Sequence, residues 1–206
     1  MNKILTLLAA TTLFAVAPAA HAAPLSVPMG DPFYVGLEAQ LLSGKGLMTG
    51  AGFAGELDSL EMGGRILFYP QSFTQFFIGD ASFMLAPRLG SLLDLELPVE
   101  IQPLAGLSGG MYMDEFVAPA GSTGTANAYI GVPIGARVMM GVGSAVVSAQ
   151  ALYHYQVFDV MPTQYGYTTN RLHLEVDARL GDLAGGVYYE TGAFLSGPGL
   201  KVGLNF

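Results

Sequence analysis

The sequence predicts an all-β protein, a single antiparallel up-and-down transmembrane β-barrel of about ten strands, with eight longer strands as the alternative. Three observations carry that prediction. Hydrophobic residues make up 51% of the chain, yet beyond the N-terminal segment no run of about 18 residues, the least a spanning helix needs, is free of polar breaks. Arg171, His173, Glu175, Asp177 and Arg179 alternate without a break with Leu172, Leu174, Val176, Ala178 and Leu180. A period of two belongs to a strand and not to a helix. Charges fall mainly on one strand face and in loops, and only a closed barrel lets an extended chain satisfy its backbone in lipid.

The N-terminus reads as a secretory signal. Asn2 and Lys3 make a short positive region, Ile4 to Val16 is apolar, and Ala20-His21-Ala22 supplies the small residues that a signal peptidase reads. The apolar run is short and ends at Pro18, unlike a membrane anchor. Residues 1–22 are therefore expected to be removed after Ala22, leaving one barrel domain over 23–206. The chain has no Cys, which excludes disulfides, thiolate metal sites and attachment of lipid through an N-terminal Cys. The net charge of −8 grows more negative when Lys3 leaves, which argues against nucleic acid as a partner.

Alternation and turn residues divide the rest. Phe33 to Leu41 is the first strand, with Glu38 and Gln40 on its polar face. Residues 42–56 read as a connection, the longest at about fifteen residues, so little surface is left for adhesion. Leu60 to Tyr69 carries Glu61 and Arg65, and Pro70-Gln71-Ser72 turns the chain into Phe73 to Leu85, which carries Asp80. Leu93 to Ile101 alternates again, with Asp94, Glu96 and Glu100 opposite Leu93, Leu95, Leu97, Val99 and Ile101. Gln102-Pro103 reads as a turn before Leu104 to Phe116. After the Gly-rich loop 117–126 come Asn127 to Met140 with Arg137, a turn at Gly141-Val142-Gly143, and Ser144 to Phe158. The strand 168–180, a turn over Gly181 to Gly185, the strand 186–195 with Glu190, and the last strand complete ten. Pro98 and Pro133 fall inside proposed strands, where each removes a ladder donor.

The last eight residues alternate Leu200, Val202, Leu204 and Phe206 against Lys201, Gly203 and Asn205. A terminal Phe on such a strand resembles the C-terminal assembly signal of Gram-negative outer-membrane barrels, in which the last strand pairs with the first. Within that class the chain is similar to the YfaZ-like family in three stretches: Leu152-Tyr153-His154-Tyr155, Glu175-Val176-Asp177-Ala178-Arg179, and Gly197 to Phe206. The resemblance implies residence in the outer membrane. The partners would be outer-membrane lipid, the periplasmic chaperones and the barrel assembly machinery. It supplies no catalytic residue and no cofactor.

Alternation alone does not say which face meets solvent. A soluble lipocalin-like barrel would put Leu172 and Leu174 inside; a membrane barrel puts them outside. The signal peptide, the terminal Phe and the aromatics Phe33, Phe68, Tyr153, Tyr155 and Tyr189 near strand ends favour the membrane arrangement. The lumen would then hold Glu38, Glu61, Arg65, Asp80, Asp94, Glu96, Glu100, Arg137, Arg171, His173, Glu175, Asp177, Arg179, Glu190 and Lys201. So few strands enclose little space. The expected result is a mostly plugged lumen braced by Arg–carboxylate bonds, serving a structural or narrow-channel role. Asp94, Glu96 and Glu100 resemble a cation site in composition. Residues two apart on a strand are roughly 6.8 Å apart, however, so pairing with Arg is preferred and no metal is expected. His154 and His173 share interior parity, but Ser148 lies six residues from His154 and no G-x-S-x-G is present. The chain is therefore read as a non-enzyme. The alternatives are a lipid-modifying barrel enzyme and a soluble periplasmic barrel that binds a small apolar ligand.

Overall fold

The computed structural model describes residues 33–44, 46–57, 59–70, 76–93, 99–114, 125–159, 170–192 and 196–206. The leader and its cleavage point lie outside these residues. Ten strands follow one another: β1 (Phe33–Leu42), β2 (Gly46–Leu57), β3 (Leu60–Phe68), β4 (Phe76–Leu85), β5 (Glu100–Asp114), β6 (Thr125–Val142), β7 (Ala145–Asp159), β8 (Arg171–Leu180), β9 (Leu183–Gly192) and β10 (Gly197–Asn205). Each pairs antiparallel with its neighbours in sequence, and β1 pairs with β10, so the sheet closes into an up-and-down barrel. Closure leaves no free sheet edge around the ring.

The seam runs from Tyr34↔Asn205 to Gln40↔Gly199. It is extended by two backbone bonds between the terminal aromatics, Phe206 N to Phe33 O at 2.9 Å and Phe33 N to Phe206 O at 3.4 Å. An even strand number puts the start of β1 and the end of β10 at one rim, here the terminus end. Two-residue turns at Gly143-Ser144 and Gly181-Asp182 lie at this same end. Gly143 (φ 65) and Gly181 (φ 59) supply the positive φ that tight hairpins of matching twist require. The opposite rim, the loop end, carries the connections at 69–75, 115–124 and 160–170.

The ten-strand count is as expected, but its composition differs in two places. Residues 42–56 are not a connection: they hold most of β2, which pairs with β1 from Leu42↔Gly46 to Phe33↔Gly55. Gly, Ala and Met at its inward positions hide the alternation. In the other direction, the described ends of the strand expected over 93–101 belong to other elements. Leu89–Leu93 forms a short helix, α1, residues 94–98 lie outside those described, and Glu100 and Ile101 begin β5. Gln102 and Pro103 are within β5 and make no turn. The β4–β5 register starts at Leu85↔Ala105, so Pro103 stands beyond the end of β4, on a stretch with one strand neighbour, where a missing N–H is tolerated. Pro133 does lie inside β6, and the β5–β6 register passes over it, running from Ala105↔Ile134 to Ser108↔Gly131. A bulge at Val157 in β7 shifts the register with β6 between Ile130 and Gly131.

The two faces differ sharply. Outward positions are apolar and open, with Leu37 at 69% exposure and Leu107 at 63%. Every charged side chain described on a strand faces the lumen. Phe33 stacks on Phe53 on the outside near the terminus end, ring centroids 6.3 Å apart. Inside, Leu42, Met48, Leu67, Ile78 and Tyr129 form a closed apolar cluster at the loop end, with Tyr69 packed against it. Met84, Ala86, Leu104 and Leu152 form a second cluster beside α1.

Candidate functional site

The alternation that builds β3, β4, β8 and β9 delivers their charged residues to one level of the lumen. There Arg65 Nη2 donates to both oxygens of Glu190, at 2.7 and 2.9 Å, and Arg65 Nε donates to Asp80 Oδ2 at 3.3 Å. Arg171 Nη2 donates to the same Asp80 oxygen at 3.0 Å, and its Nη1 donates to the Tyr129 hydroxyl at 3.1 Å. Its Nε lies 3.5 Å from Glu190 Oε1. Gln40 Nε2 adds a bond to Glu190 Oε2 at 3.0 Å. Two arginines and two carboxylates thus alternate in a central brace. Glu190, 1% exposed, accepts from three strands.

The Arg65–Glu190 and Arg171–Asp80 ties cross the lumen, since β3 and β9 are not neighbours, nor are β4 and β8, whereas Arg65–Asp80 and Arg171–Glu190 join neighbouring strands. Hydrogen bonds between ionised partners are stronger than neutral ones. Pairing is also what makes several buried ions tolerable in the lumen, because desolvation of an unpaired one is costly.

A second group lies nearer the terminus end. Arg137 meets Glu61 with two nitrogens, Nη1 at 2.6 Å from Oε2 and Nη2 at 2.8 Å from Oε1. Its Nε and Nη2 donate to Gln150 Oε1 at 3.1 and 2.9 Å. Gln102 Nε2 donates to Glu56 Oε1 at 3.1 Å, across from β5 to β2. Lys201 binds Glu175 closely and lies 3.3 Å from Asp177 Oδ1. His173 connects the two groups. Its Nδ1 is 3.1 Å from Glu190 Oε1, and its Nε2 is 2.5 Å from Glu175 Oε2. Because carboxylates only accept, a ring donating from both nitrogens satisfies both.

Of the residues singled out from sequence, Glu38, Glu61, Arg65, Asp80, Arg137, Arg171, His173, Glu175, Asp177, Arg179, Glu190 and Lys201 line one shared cavity. Glu100 stands apart, its carboxylate accepting from the Gly90 amide of α1 at 3.0 Å. Arg179 lies at the rim and donates to the Gly181 carbonyl at 3.2 Å. Asp94 and Glu96 are outside the described residues. Leu200, Val202, Leu204 and Phe206 line the outside of the closing strand, all about half exposed or more. Sequence reasoning missed Glu56, which lay in the supposed connection. Gln40, expected on the polar face of the first strand, joins the brace, whereas Gln102, which falls in the expected turn, and Gln150 share parity with the charges but carry no charge to signal it. No hydrogen bond joins either described histidine to a serine or threonine among the described residues.

The cavity has a volume of about 300 Å³ and extends from the central brace to rim residues Tyr34, Asn205, Glu56, Val146 and Ala184. None of Leu42, Met48, Leu67, Ile78 and Tyr129 lines it. Among the described residues the lumen is therefore a vestibule open at the terminus end and stopped toward the loop end, first by the brace and then by an apolar layer.

No protein-family model, no curated protein and no solved structure matches the chain.

Proposed function

We propose that the protein is an integral outer-membrane barrel with a structural role, whose lumen is braced shut against through-flow. The observation that carries this reading is the outer face. Around all ten strands it presents Leu, Ile, Val, Met, Phe, Tyr, Ala, Gly, Pro and Thr but no described Asp, Glu, Lys or Arg. A soluble barrel that holds an apolar ligand needs the reverse, an apolar lumen inside a charged surface, and an exposed apolar surface of this extent marks contact with something other than water. Strands of 9 to 18 residues meet the roughly 9–11 needed for tilted passage through a hydrocarbon core. The leader expected over 1–22 would bring the chain to the periplasm. The terminal Leu200–Phe206 pattern would hand it to chaperones and the assembly machinery, and the terminus end would face the periplasm.

The closed-lumen part rests on the Arg65–Glu190–Arg171–Asp80 brace and the apolar layer above it. Reconstitution into planar bilayers tests both parts. The expected result is stable insertion with no steady open-state conductance. A large steady conductance in the parent protein would overturn the braced lumen, and a barrel that stays monomeric in buffer without detergent or lipid would overturn the membrane assignment. N-terminal sequencing of the exported protein is expected to start at Ala23.

A further inference from the structure

Seven carboxylates line the vestibule, and six of them are committed. Glu56, Glu61, Asp80, Glu175, Asp177 and Glu190 each lie within 4.0 Å of an Arg, Lys or His. Glu38 has no such partner among the described residues. Arg65 and Lys201 act on it only from beyond that distance, and both are already bound, Arg65 to Glu190 and Asp80, Lys201 to Glu175 and Asp177. Among the described residues the one hydrogen bond to Glu38 comes from the Tyr188 hydroxyl at 3.5 Å, the outer limit for a bond. Its Oε1 rests over Gly52, where a Cβ would come within 2.1 Å. The carboxylate thus has a hollow made for it and no counter-ion in it.

A second observation comes from the other side of the cavity. His154 is 9% exposed, lines the vestibule, and makes no hydrogen bond from either ring nitrogen among the described residues; its buried Nδ1 has no partner. Buried polar groups without partners are rare and require a reason. The rest of the wall includes Met84, Met139, Val146 and Leu152, which suits an alkyl body better than a hydrated metal ion. No cluster of His, Asp and Glu able to hold a metal occurs among the described residues.

We propose that the vestibule is a binding site for a short aliphatic amine that enters from the terminus end. Its ammonium docks on Glu38, its alkyl chain lies in the part-apolar cavity, and His154 offers a second hydrogen-bonding position that the protein leaves empty. The site does not depend on membrane residence, because it is formed by the lumen of the folded barrel alone.

The test uses methyl NMR of the Met-labelled full barrel folded in detergent micelles, titrated with butylammonium chloride. Butyrate serves as the isosteric anion, and sodium chloride at equal ionic strength as the salt control. The expected result is saturable movement of the Met84 and Met139 methyls, with Met48 in the apolar layer unmoved and butyrate without effect. Glu38→Gln removes a charge that has no ion pair, so it is expected to fold, and to weaken the apparent Kd about tenfold, as loss of a charge-assisted bond does. Gly52→Ala keeps the charge and displaces the carboxylate, and is expected to weaken binding as well. Equal shifts from sodium chloride or butyrate, an unchanged Kd in Glu38→Gln, or no saturable shift in the parent would each overturn the proposal.

Discussion

Strands β2 and β8 stand well apart around the barrel and are opposites in composition. β8 sends Arg171, His173, Glu175, Asp177 and Arg179 inward; β2 sends Met48, Gly50, Gly52, Ala54 and Glu56. The difference reflects the volume inside a ring of fixed circumference. A lumen this narrow holds five long polar side chains on one wall only if another wall is nearly bare. Gly52 receives the Glu38 carboxylate, and Gly50 sits so close to β3 that a Cβ would fall 1.7 Å from the Ile66 carbonyl oxygen. The charged wall supplies the bonds and the bare wall supplies the room, so damage to either is predicted to harm the barrel by a different route.

The largest effect is expected on the charged wall. Arg171→Ala takes a donor from Asp80 and Tyr129 and an ion-pair contact from Glu190 at once, and should destabilise the folded barrel by about 3–5 kcal/mol, as removal of one partner from a buried pair does. Unfolding titrations in detergent or vesicles read this directly. A loss below about 1 kcal/mol would mean that the brace is redundant. Next comes a test of the two faces of β8 itself. Leu174→Arg should reduce the membrane-folded fraction by the equivalent of roughly 2–4 kcal/mol, the cost of a charge on the lipid face near the midplane. His173→Arg, one residue away and between Glu175 and Glu190, should lose less. Equal tolerance, or the reverse order, would argue against the membrane reading.

On the bare wall, Gly50→Val should cost roughly 1–3 kcal/mol by overpacking, because the obstacle is backbone and cannot swing away. If Gly50→Val were as stable as the parent, the bare wall would not be needed for space. The smallest effect is expected from Arg179→Ala, at most about 0.5 kcal/mol, since this side chain binds one turn carbonyl at the rim. That places Arg171 and Arg179, the first and last inward residues of the same strand, at opposite ends of the scale.

The contrast also explains what could be read from the sequence. β8 announces itself because its inward face is charged, its outward face is Leu, Val and Ala, and nothing interrupts the period. In β2, GLMTGAGFAGEL, small residues fall on both faces. Gly then looks like a turn signal, although here it marks close approach between a strand and what packs against it. β5 was cut at Gln102-Pro103 because proline usually ends a strand. Only the staggered rim, which leaves Pro103 with a single neighbouring strand, makes it admissible, and stagger is a property of the closed ring. The inward set of charges follows from parity alone. The partners do not: that Arg65 reaches Glu190 and Arg137 reaches Glu61 depends on which strands face each other across the lumen. The stopped vestibule depends equally on Leu42, Met48, Leu67 and Ile78 sharing one level on four strands.

The β1–β10 seam joins Phe33 to Phe206, the two ends of the barrel wall. Every other hairpin in the ring closes over a short stretch of chain, whereas this pairing closes nearly all of it. Loop-closure entropy and contact order therefore fall on a single contact, and that contact should form last and limit the folding rate. A circular permutant that ties Phe206 to Phe33 by a short linker and opens the chain within 115–124 would convert the slowest pairing into a local hairpin. It should fold faster than the native chain order, and a change at Phe206 should then slow folding far less than it does in the native order.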